Sequence, residues 1–180
     1  MRVVAGRFGG RRLKTLDGKT TRPTGDKVRA AIFSMIGPYF EGGRVLDLFA
    51  GSGGLAIEAV SRGMSCAVLI ERDRKAQMVI QANLEMTKEV EKFQLLKMDV
   101  KRAIGRLVGQ FDLIFLDPPY AKEEIEQHIL LLLARDLLSH DAIIVCETDK
   151  SVVLPENVAD FIIVKQKRYG ISKITIYERS

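Results

Sequence analysis

The stretch Arg44-Val-Leu-Asp-Leu-Phe-Ala-Gly-Ser-Gly-Gly-Leu-Ala56 decides the fold of this chain. Its apolar first half predicts a buried strand, and its glycines predict a tight turn that opens into a helix. Such a unit lets a ligand approach the backbone closely, because the first amide groups of the helix point at it. The spacing Gly51-x-Gly53-x-x-Ala56 also matches the dinucleotide fingerprint loosely, and Glu71 follows about 20 residues later, where a ribose-binding acid is expected. A nicotinamide-dependent oxidoreductase is therefore one hypothesis.

Asp47 argues for a different cofactor. It ends the first predicted strand beside the turn where a pyrophosphate would lie, and its negative charge would repel that anion. A cofactor that carries an ammonium group and a sulfonium but no phosphate suits a carboxylate there, and S-adenosylmethionine is that cofactor. Glu71 and Asp99 also follow strand-like runs, so three successive strands end in an acidic residue. Each acid alone is typical of a helix N-cap, but the pattern favours S-adenosylmethionine, with Asp99 placed to accept from an adenine amine.

Asp117-Pro-Pro-Tyr120 follows the apolar run Phe111–Leu116, which predicts another buried strand. In an open α/β sheet, ligands bind at the carboxyl ends of such strands, and Pro119 keeps this loop from becoming a helix. Asp117 and the Pro118 carbonyl can accept hydrogen bonds from an exocyclic amine, and Tyr120 can stack on a flat ring. The tetrapeptide therefore predicts a catalytic site for the amine of a planar base, formed by Asp117, Pro118, Pro119 and Tyr120. An ordinary strand-ending turn is the alternative.

Predicted helices and strands alternate along most of the chain, which indicates an α/β fold with a mostly parallel sheet and helices on both faces. The predicted helices are Asp26–Ile36, Leu55–Arg62, Arg74–Met86, Lys101–Leu107 and Glu123–Leu138. The predicted strands are Val45–Phe49, Cys66–Ile70, Phe93–Met98, Phe111–Leu116, Ala142–Glu147, Phe161–Lys167 and Ser172–Tyr177. A short connection between the last two predicts an antiparallel hairpin. The 180 residues fit a single domain, with residues 1–24 as a basic N-terminal arm.

Several other classes of protein are not expected. The longest apolar run, 129–134, is far shorter than the ~20 residues that span a bilayer, and the N-terminus lacks the apolar stretch of a signal peptide. Cys66 and Cys146 each lie in a predicted strand, so we expect buried free thiols and a reducing, cytoplasmic location. His128, expected on a helix surface, and His140 have no partner at metal-ligand spacing, so we expect no metal site.

Positive charge is concentrated near the N-terminus. Residues 1–44 contain ten basic and three acidic side chains, a balance of +7 where the whole chain carries +5. Glycines interrupt this segment and Phe8 offers one stacking face, so we expect a flexible arm that binds a phosphate backbone. A solvated, solubilising tail is the alternative. The expected RNA-binding residues are Arg7, Arg11, Arg12 and Lys14 of the arm, together with Arg168 from a second basic cluster near the C-terminus.

Motifs along nearly the whole chain resemble those of a known family. They are Arg7-Phe-Gly-Gly-Arg11, Thr21-Arg22-Pro23-Thr24, Leu46-Asp-Leu-Phe-Ala-Gly-Ser-Gly53, Glu58-Ala-Val-Ser-Arg-Gly63, Asp117-Pro-Pro-Tyr120 and Lys167-Arg-Tyr-Gly170. With them the chain resembles the bacterial 16S ribosomal RNA guanine-N2 methyltransferases of the RsmD type. It departs at Ala56, where the family often has glycine, and that change touches mainly helix–strand packing.

The resemblance implies a seven-stranded, Rossmann-like, class I S-adenosylmethionine-dependent methyltransferase that acts on a guanine of the small ribosomal subunit. It implies that Asp47 and the Gly51–Gly53 turn hold the methionyl part of the cofactor, and that Arg22 and Thr24 lie near it. Glu71 would bind the ribose and Asp99 the adenine. The expected cofactor-binding set is Arg22, Thr24, Asp47, Phe49, Ala50, Gly51, Ser52, Gly53, Glu71, Arg72, Asp99 and Val100. The implied partner is 16S rRNA, within a small subunit or an assembly intermediate, bound by a monomer.

Two alternatives to guanine-N2 methylation stay open. One is another amine acceptor, such as adenine N6, cytosine N4 or a protein glutamine, although Asp rather than Asn at position 117 favours a nucleobase. The other is a non-catalytic RNA-binding or ribosome-assembly factor that keeps the fold as a scaffold. The intact acidic residues and the tetrapeptide argue against a scaffold. On the favoured hypothesis, the base must be unpaired or flipped out to reach the site.

Overall fold

The computed structural model describes residues 1–16, 25–119 and 121–180. In these ranges the helices are α1 (Asp26–Ile36), α2 (Gly54–Ser61), α3 (Arg74–Met86), α4 (Val100–Ile104) and α5 (Ala121–Ala134). The strands are β1 (Arg44–Asp47), β2 (Cys66–Ile70), β3 (Phe93–Leu96), β4 (Phe111–Leu116), β5 (Leu138–Asp149), β6 (Asn157–Val158), β7 (Phe161–Tyr169) and β8 (Ser172–Arg179). A short 3-10 turn, Val90–Lys92, precedes β3. The alternation predicted from the sequence is confirmed.

All the strands form one sheet, in the order β3-β2-β1-β4-β5-β8-β7-β6. The first five run parallel, and β8, β7 and β6 are antiparallel to their neighbours. The prediction of seven strands was wrong by one, because Asn157–Val158 adds an eighth strand at the edge. Two residues are too few to show a strand's alternation, and the turn at Ala159, with φ of 52°, folds them back onto β7. The predicted C-terminal hairpin is confirmed.

Side chains alternate between two apolar cores, one on each face of the sheet. On one face, residues of α4 and α5 pack against the sheet, and on the other the partners are α1, α2, α3 and the N-terminal segment. β4 shows the alternation: Leu113 and Phe115 contribute to the second core, whereas Ile114 and Leu116 contribute to the first. Burial on both faces explains why the central strands read as continuous apolar runs.

The boundary between α5 and β5 differs from the prediction. The sequence predicted a helix that continues to Leu138, but α5 ends at Ala134 and Leu138 opens β5 opposite Phe111. Asp136 adopts a left-handed conformation with φ of 53°, which ends the helical path. Leu137 and Leu138 continue the apolar pattern after Asp136, so the sequence does not indicate that the helix ends there. α4 is also shorter than predicted, because its last turn closes at Gly105.

The N-terminal segment, residues 1–16, is anchored to the domain, so this part of the predicted arm is not flexible. Val3, Phe8 and Leu13 are at most 5% exposed and belong to the core beside α2 and α3. Phe8 was expected to offer a stacking face, but its ring is buried, and the guanidinium groups of Arg7 and Arg11 lie over it at 5.4 and 5.2 Å from the ring centroid. The apolar residues spaced between the basic ones fix this segment.

Both cysteines are free thiols, as predicted, although only Cys146 is buried and Cys66 is partly exposed. Among the helices of the described residues, none combines the length and the apolar character required to cross a membrane.

Candidate active site

The strands β1 and β4 lie side by side and mark the point where the strand order reverses. In open α/β sheets, ligands bind at this crevice, beyond the carboxyl ends of the strands. Asp47 is the last residue of β1 and pairs in register with Phe115 of β4. Asp117 lies two residues farther along, directly after the end of β4. The two acids that the sequence singled out at strand ends are therefore brought to the same crevice.

The glycine-rich turn after β1 has the conformation that its sequence requires. Gly51 has φ of 58° and Gly53 has φ of 84°, both in the region that residues with a Cβ rarely adopt. A Cβ at Gly53 would lie 3.3 Å from the Leu69 side chain, so this residue also keeps α2 close to the sheet. A Cβ at Gly51 would meet nothing within 4 Å. The turn is therefore open to a ligand on the side of Gly51.

Glu71 is joined directly to this turn. One carboxylate oxygen accepts a hydrogen bond from the Gly51 amide at 3.0 Å, and the other accepts from the Asp73 amide at 3.0 Å. The backbone thus fixes the carboxylate, and each oxygen keeps a lone pair for another donor. Asp73 in turn caps α3 by accepting from the Ala76 amide. Glu71 therefore lies where a ligand held by the turn can reach it.

Asp47 is a buried carboxyl group in an acidic site. It is 3% exposed. Desolvation by burial raises its pKa to about 7, the negative charge of Glu71 acts in the same direction, and the Phe49 amide opposes the shift by donating a hydrogen bond. A buried acid close to its pKa at neutral pH responds strongly to a nearby cation, because the cation favours the ionised form.

Asp117 is perturbed in the same direction. Its side chain borders solvent, but the protein packed around its other sides limits its hydration. This desolvation, with the negative charges of Glu147 and Asp47, raises the pKa of Asp117 to about 8. Pro118 is buried and Pro119 is exposed. Tyr120, Arg22 and Thr24 were predicted site residues, and they lie outside the described residues.

The remaining predicted cofactor residues lie in the connections that follow β1, β2 and β3. Ala50 is buried and its amide donates to the Ile70 carbonyl, while Ser52 is partly exposed in the glycine-rich turn. Arg72 is exposed. Asp99 caps α4, since its carboxylate accepts from the Arg102 amide at 3.0 Å, and Val100 is partly buried beside it. The helix-cap alternative for Asp99 is thus realised in the structure, with one oxygen engaged.

The sequence predicted that His128 lies on a helix surface, but the structure places it in the interior. It is 4% exposed, and its ring packs edge-on against Phe49 with 5.5 Å between the centroids. Burial lowers the pKa of His128, so it is neutral at neutral pH. The prediction was wrong because it relied on the polar character of His128. Its position on the same helical face as Ile125 and Ile129 indicates burial. No group of three or more metal-ligating side chains occurs in the described ranges.

The comparison with known proteins supplies the family. Residues 1–178 match the family described as "Conserved hypothetical protein 95". This chain belongs to that family. A Bacillus subtilis relative, named "Putative rRNA methyltransferase YlbH", is 43% identical over 99% of both chains. The "Ribosomal RNA small subunit methyltransferase D" of Haemophilus influenzae is 34% identical over 99% of this chain and 93% of its own length.

A solved structure of the Escherichia coli protein "Putative methyltransferase yhhF" superposes with a TM-score of 0.88. It is 30% identical and covers 100% of this chain and 98% of its own. The fold of this family member is therefore that of the methyltransferases. Family membership also sets aside the nicotinamide-dependent oxidoreductase, in agreement with the buried Asp47 carboxyl group beside the turn.

Glu58 is a buried residue of this family member whose role the sequence did not predict. Its carboxylate is fully buried and accepts from the amides of Val4 and Ala5, and it forms ion pairs with Arg29 at 3.2 Å and Arg62 at 2.8 Å. It therefore joins the N-terminal segment, α1 and α2. The presence of one charged residue within the otherwise apolar α2 could have indicated a buried ion pair.

Asn83 was missed altogether. It is 1% exposed on α3, and its side chain exchanges hydrogen bonds with the backbone of Lys14 and donates to the Ser52 carbonyl at 2.8 Å. One buried amide thus joins the N-terminal segment to the glycine-rich turn. Its position between Ile80 and Leu84, on the apolar face of a helix, could have indicated a buried polar contact.

Proposed function

We propose that this protein transfers a methyl group from S-adenosylmethionine to the exocyclic N2 of a guanine in 16S rRNA. The observation that carries the proposal is the position of the Asp117-Pro118 pair at the crevice between β1 and β4, beside Asp47. A methyl donor held over the glycine-rich turn and an amine held at Asp117 would meet at this crevice. The rRNA methyltransferases among its relatives support the same class of substrate.

The residues on the β1 side fit the cofactor. Asp47 and Glu71 are acidic groups beside a turn that leaves open space at Gly51. A ligand with a cationic amino acid part and ribose hydroxyl groups matches that set, because the carboxylates attract the cation and accept from the hydroxyls. When bound, S-adenosylmethionine supplies a methyl group activated by a positively charged sulfur. Arg22 and Thr24 complete the proposed set.

On the β4 side, Asp117 and the Pro118 carbonyl hold the acceptor amine. The lone pair of guanine N2 is delocalised into the ring, so the amine is a poor nucleophile. Two hydrogen bonds from its N–H groups, to the Asp117 carboxylate and the Pro118 carbonyl, favour a more tetrahedral nitrogen whose lone pair faces the methyl group. Positioning of this kind accounts for much of the rate of a transfer reaction. Tyr120 would stack on the base, a contact worth about 1–3 kcal/mol on unpaired sites.

Exposed basic residues near the crevice would bind the RNA backbone. Arg168 is exposed on β7, one residue from the hairpin tip, and the Asp149–Ser172 pairing brings this tip to the carboxyl end of β5. Arg12 and Lys14 are also exposed, and Asn83 ties the backbone of Lys14 to the glycine-rich turn. Arg7 and Arg11 contact the end of α3 as well: Arg7 pairs with Glu89, and Arg11 donates to the carbonyls of Met86 and Thr87.

The partner in this proposal is a small ribosomal subunit or an assembly intermediate, bound in the cytoplasm by a monomer without a metal ion. A preformed ribonucleoprotein surface would supplement the contacts of a chain with so small a basic surface. Two tests of the proposal use labelled S-adenosylmethionine, with naked 16S rRNA and small-subunit particles that lack the modification as substrates. N2-methylguanosine in the labelled product supports the proposal, and the better substrate shows when in assembly the enzyme acts.

Three other outcomes would contradict the proposal. Label in N6-methyladenosine or N4-methylcytidine would change the acceptor, and label in a protein glutamine would change the class of substrate. Cofactor binding without label in either RNA would favour the scaffold hypothesis. The Asp117→Ala variant serves as the matched control for transfer catalysed at this site.

A further inference from the structure

Glu147 occupies the position on β5 that corresponds to Asp117 on β4. The two strands are parallel and in register from the pair Leu113–Ile143 to the pair Leu116–Cys146. Asp117 directly follows β4, and Glu147 is the next residue of β5. Leu116 and Cys146 both belong to the core on the side of α4 and α5, whereas Phe115 and Val145 belong to the opposite core. Because side chains alternate along a strand, Asp117 and Glu147 project to the same face of the sheet, as does Asp47.

The electrostatics agree with this placement. The negative charge of Glu147 is the largest influence on Asp117 after desolvation, and it exceeds that of Asp47. Glu147 is partly buried, and on its other side it pairs with Ile174 of β8. It therefore lies between β4 and β8 at the carboxyl edge, beside the proposed base site.

We propose that Glu147 determines the specificity of this site by accepting a hydrogen bond from N1–H of the target guanine, while Asp117 and Pro118 hold its N2. This role rests on the proposed function. The guanine edge presents two neighbouring donor groups, N1–H and N2–H, which two carboxylates can accept together. Adenine N1 and cytosine N3 are acceptors at the corresponding position, so a carboxylate there leaves two acceptors facing each other. The second carboxylate therefore rejects adenine and cytosine even though both carry an exocyclic amine.

The test compares Glu147→Gln with Asp141→Asn, which removes a charge from an exposed position near the other end of β5. Methyl transfer to small-subunit particles gives kcat and KM, and calorimetry gives the affinity for S-adenosylmethionine. We expect Glu147→Gln to lower kcat/KM at least about 30-fold while the cofactor affinity changes less than about twofold, since the lost contact is to the base. Asp141→Asn should match the wild type. Glu147→Asp, which keeps the charge on a shorter side chain, should lose less activity than Glu147→Gln.

The pH profile separates a contact with the base from structural support. Removal of the Glu147 charge lowers the pKa of Asp117, so the acid limb of kcat/KM should move to lower pH even though the plateau falls. Wild-type kcat/KM in Glu147→Gln, or a loss shared equally by cofactor affinity and thermal stability, would overturn the role of Glu147. The wild-type product is identified in the same assay, so failure to form N2-methylguanosine would overturn the proposed function instead.

Discussion

Asp117 carries the central claim at the scale of single residues. Replacement by Ala removes the carboxylate that accepts from the substrate amine, and we expect kcat to fall about 10²–10³-fold, the range found when one aligned hydrogen-bonding group is lost from an active site. The glycine-rich turn does not depend on Asp117, so the affinity for S-adenosylmethionine should stay within about threefold of the wild type. Single-turnover transfer and calorimetry measure the two quantities. Full activity in Asp117→Ala would refute the mechanism.

Asp47 should make cofactor binding depend on pH. Its pKa is raised to about 7 by burial and by Glu71, so it is largely protonated at pH 6 and ionised at pH 8. A cationic cofactor favours the ionised form, and affinity should therefore rise with pH and fall by up to about tenfold per unit below the pKa. Calorimetry between pH 5.5 and 8.5 tests this expectation. Asp47→Asn should bind more weakly and with a flatter profile, whereas a flat wild-type profile would contradict the assignment.

The sequence predicted Asp47 and Asp117 as site residues, but it predicted no role for Glu147, although the predicted strand Ala142–Glu147 ends there. Asp117 directly precedes two prolines, and Asp47 lies four residues before Gly51, so nearby residues indicate a turn and a site. Glu147 lies within β5 without such a signal, and its proximity to Asp117 depends on the register between two strands about 30 residues apart in the chain. Asn83 was missed for a similar reason, because its partners are backbone groups far away in sequence.

At the scale of elements, the buried Glu58 carboxylate holds α1, α2 and the N-terminal segment together. Glu58→Gln removes the buried carboxylate that pairs with Arg62 and with Arg29, although Arg29 keeps its ion pair with Asp26. We expect the free energy of unfolding to fall by about 3–5 kcal/mol. Asp160→Asn is the matched control, since Asp160 pairs with Arg179 at 2.9 Å on the surface and its side chain is 56% exposed. That change should cost less than about 1 kcal/mol. Urea unfolding measures both, and equal losses would show that Glu58 has no special role.

Attachment of the N-terminal segment can be tested with two glycines. A Cβ at Gly6 would lie 2.0 Å from the Ser61 carbonyl oxygen, whereas a Cβ at Gly10 would meet nothing within 4 Å. Both have a positive φ, 88° and 84°, so Gly10→Ala carries the same backbone strain without the clash. We expect Gly6→Ala to expose residues 1–16 to proteolysis and hydrogen exchange and Gly10→Ala to do so much less. Equal protection in the two variants would contradict the packing described here.

Elements with strong periodicity could be predicted almost residue by residue, and those fixed by tertiary contacts could not. α1 and α3 have the predicted bounds, because each combines an apolar stripe with a clear start. The end of α5 depends on one left-handed residue, Asp136, and β6 depends on pairing with β7, so neither leaves a local signal. The prediction that the N-terminal segment is flexible was wrong because it rested on the basic charge of the segment, whereas three buried apolar residues fix its position.

At the scale of the whole molecule, the proposed RNA surface should make binding depend on salt. Arg12, Lys14 and Arg168 are the exposed basic residues of the proposed RNA surface. Each replacement by Ala should lower the slope of log K against log salt by about 0.7–0.9, because each lost phosphate contact releases one ion fewer. Arg106 is exposed beyond the other end of α4, and Arg106→Ala should leave the slope unchanged. If the three variants have the same slope as Arg106→Ala, the RNA binds to a different surface.

The central claim is tested most directly by the nucleosides of 16S rRNA from cells that lack this protein. Mass spectrometry would count N2-methylguanosine per 16S rRNA without the protein, with the wild type restored and with Asp117→Ala restored. We predict that the count falls by one without the protein and that only the wild type brings it back. An unchanged count, or the loss of a different methylated nucleoside, would contradict guanine-N2 methylation by this site.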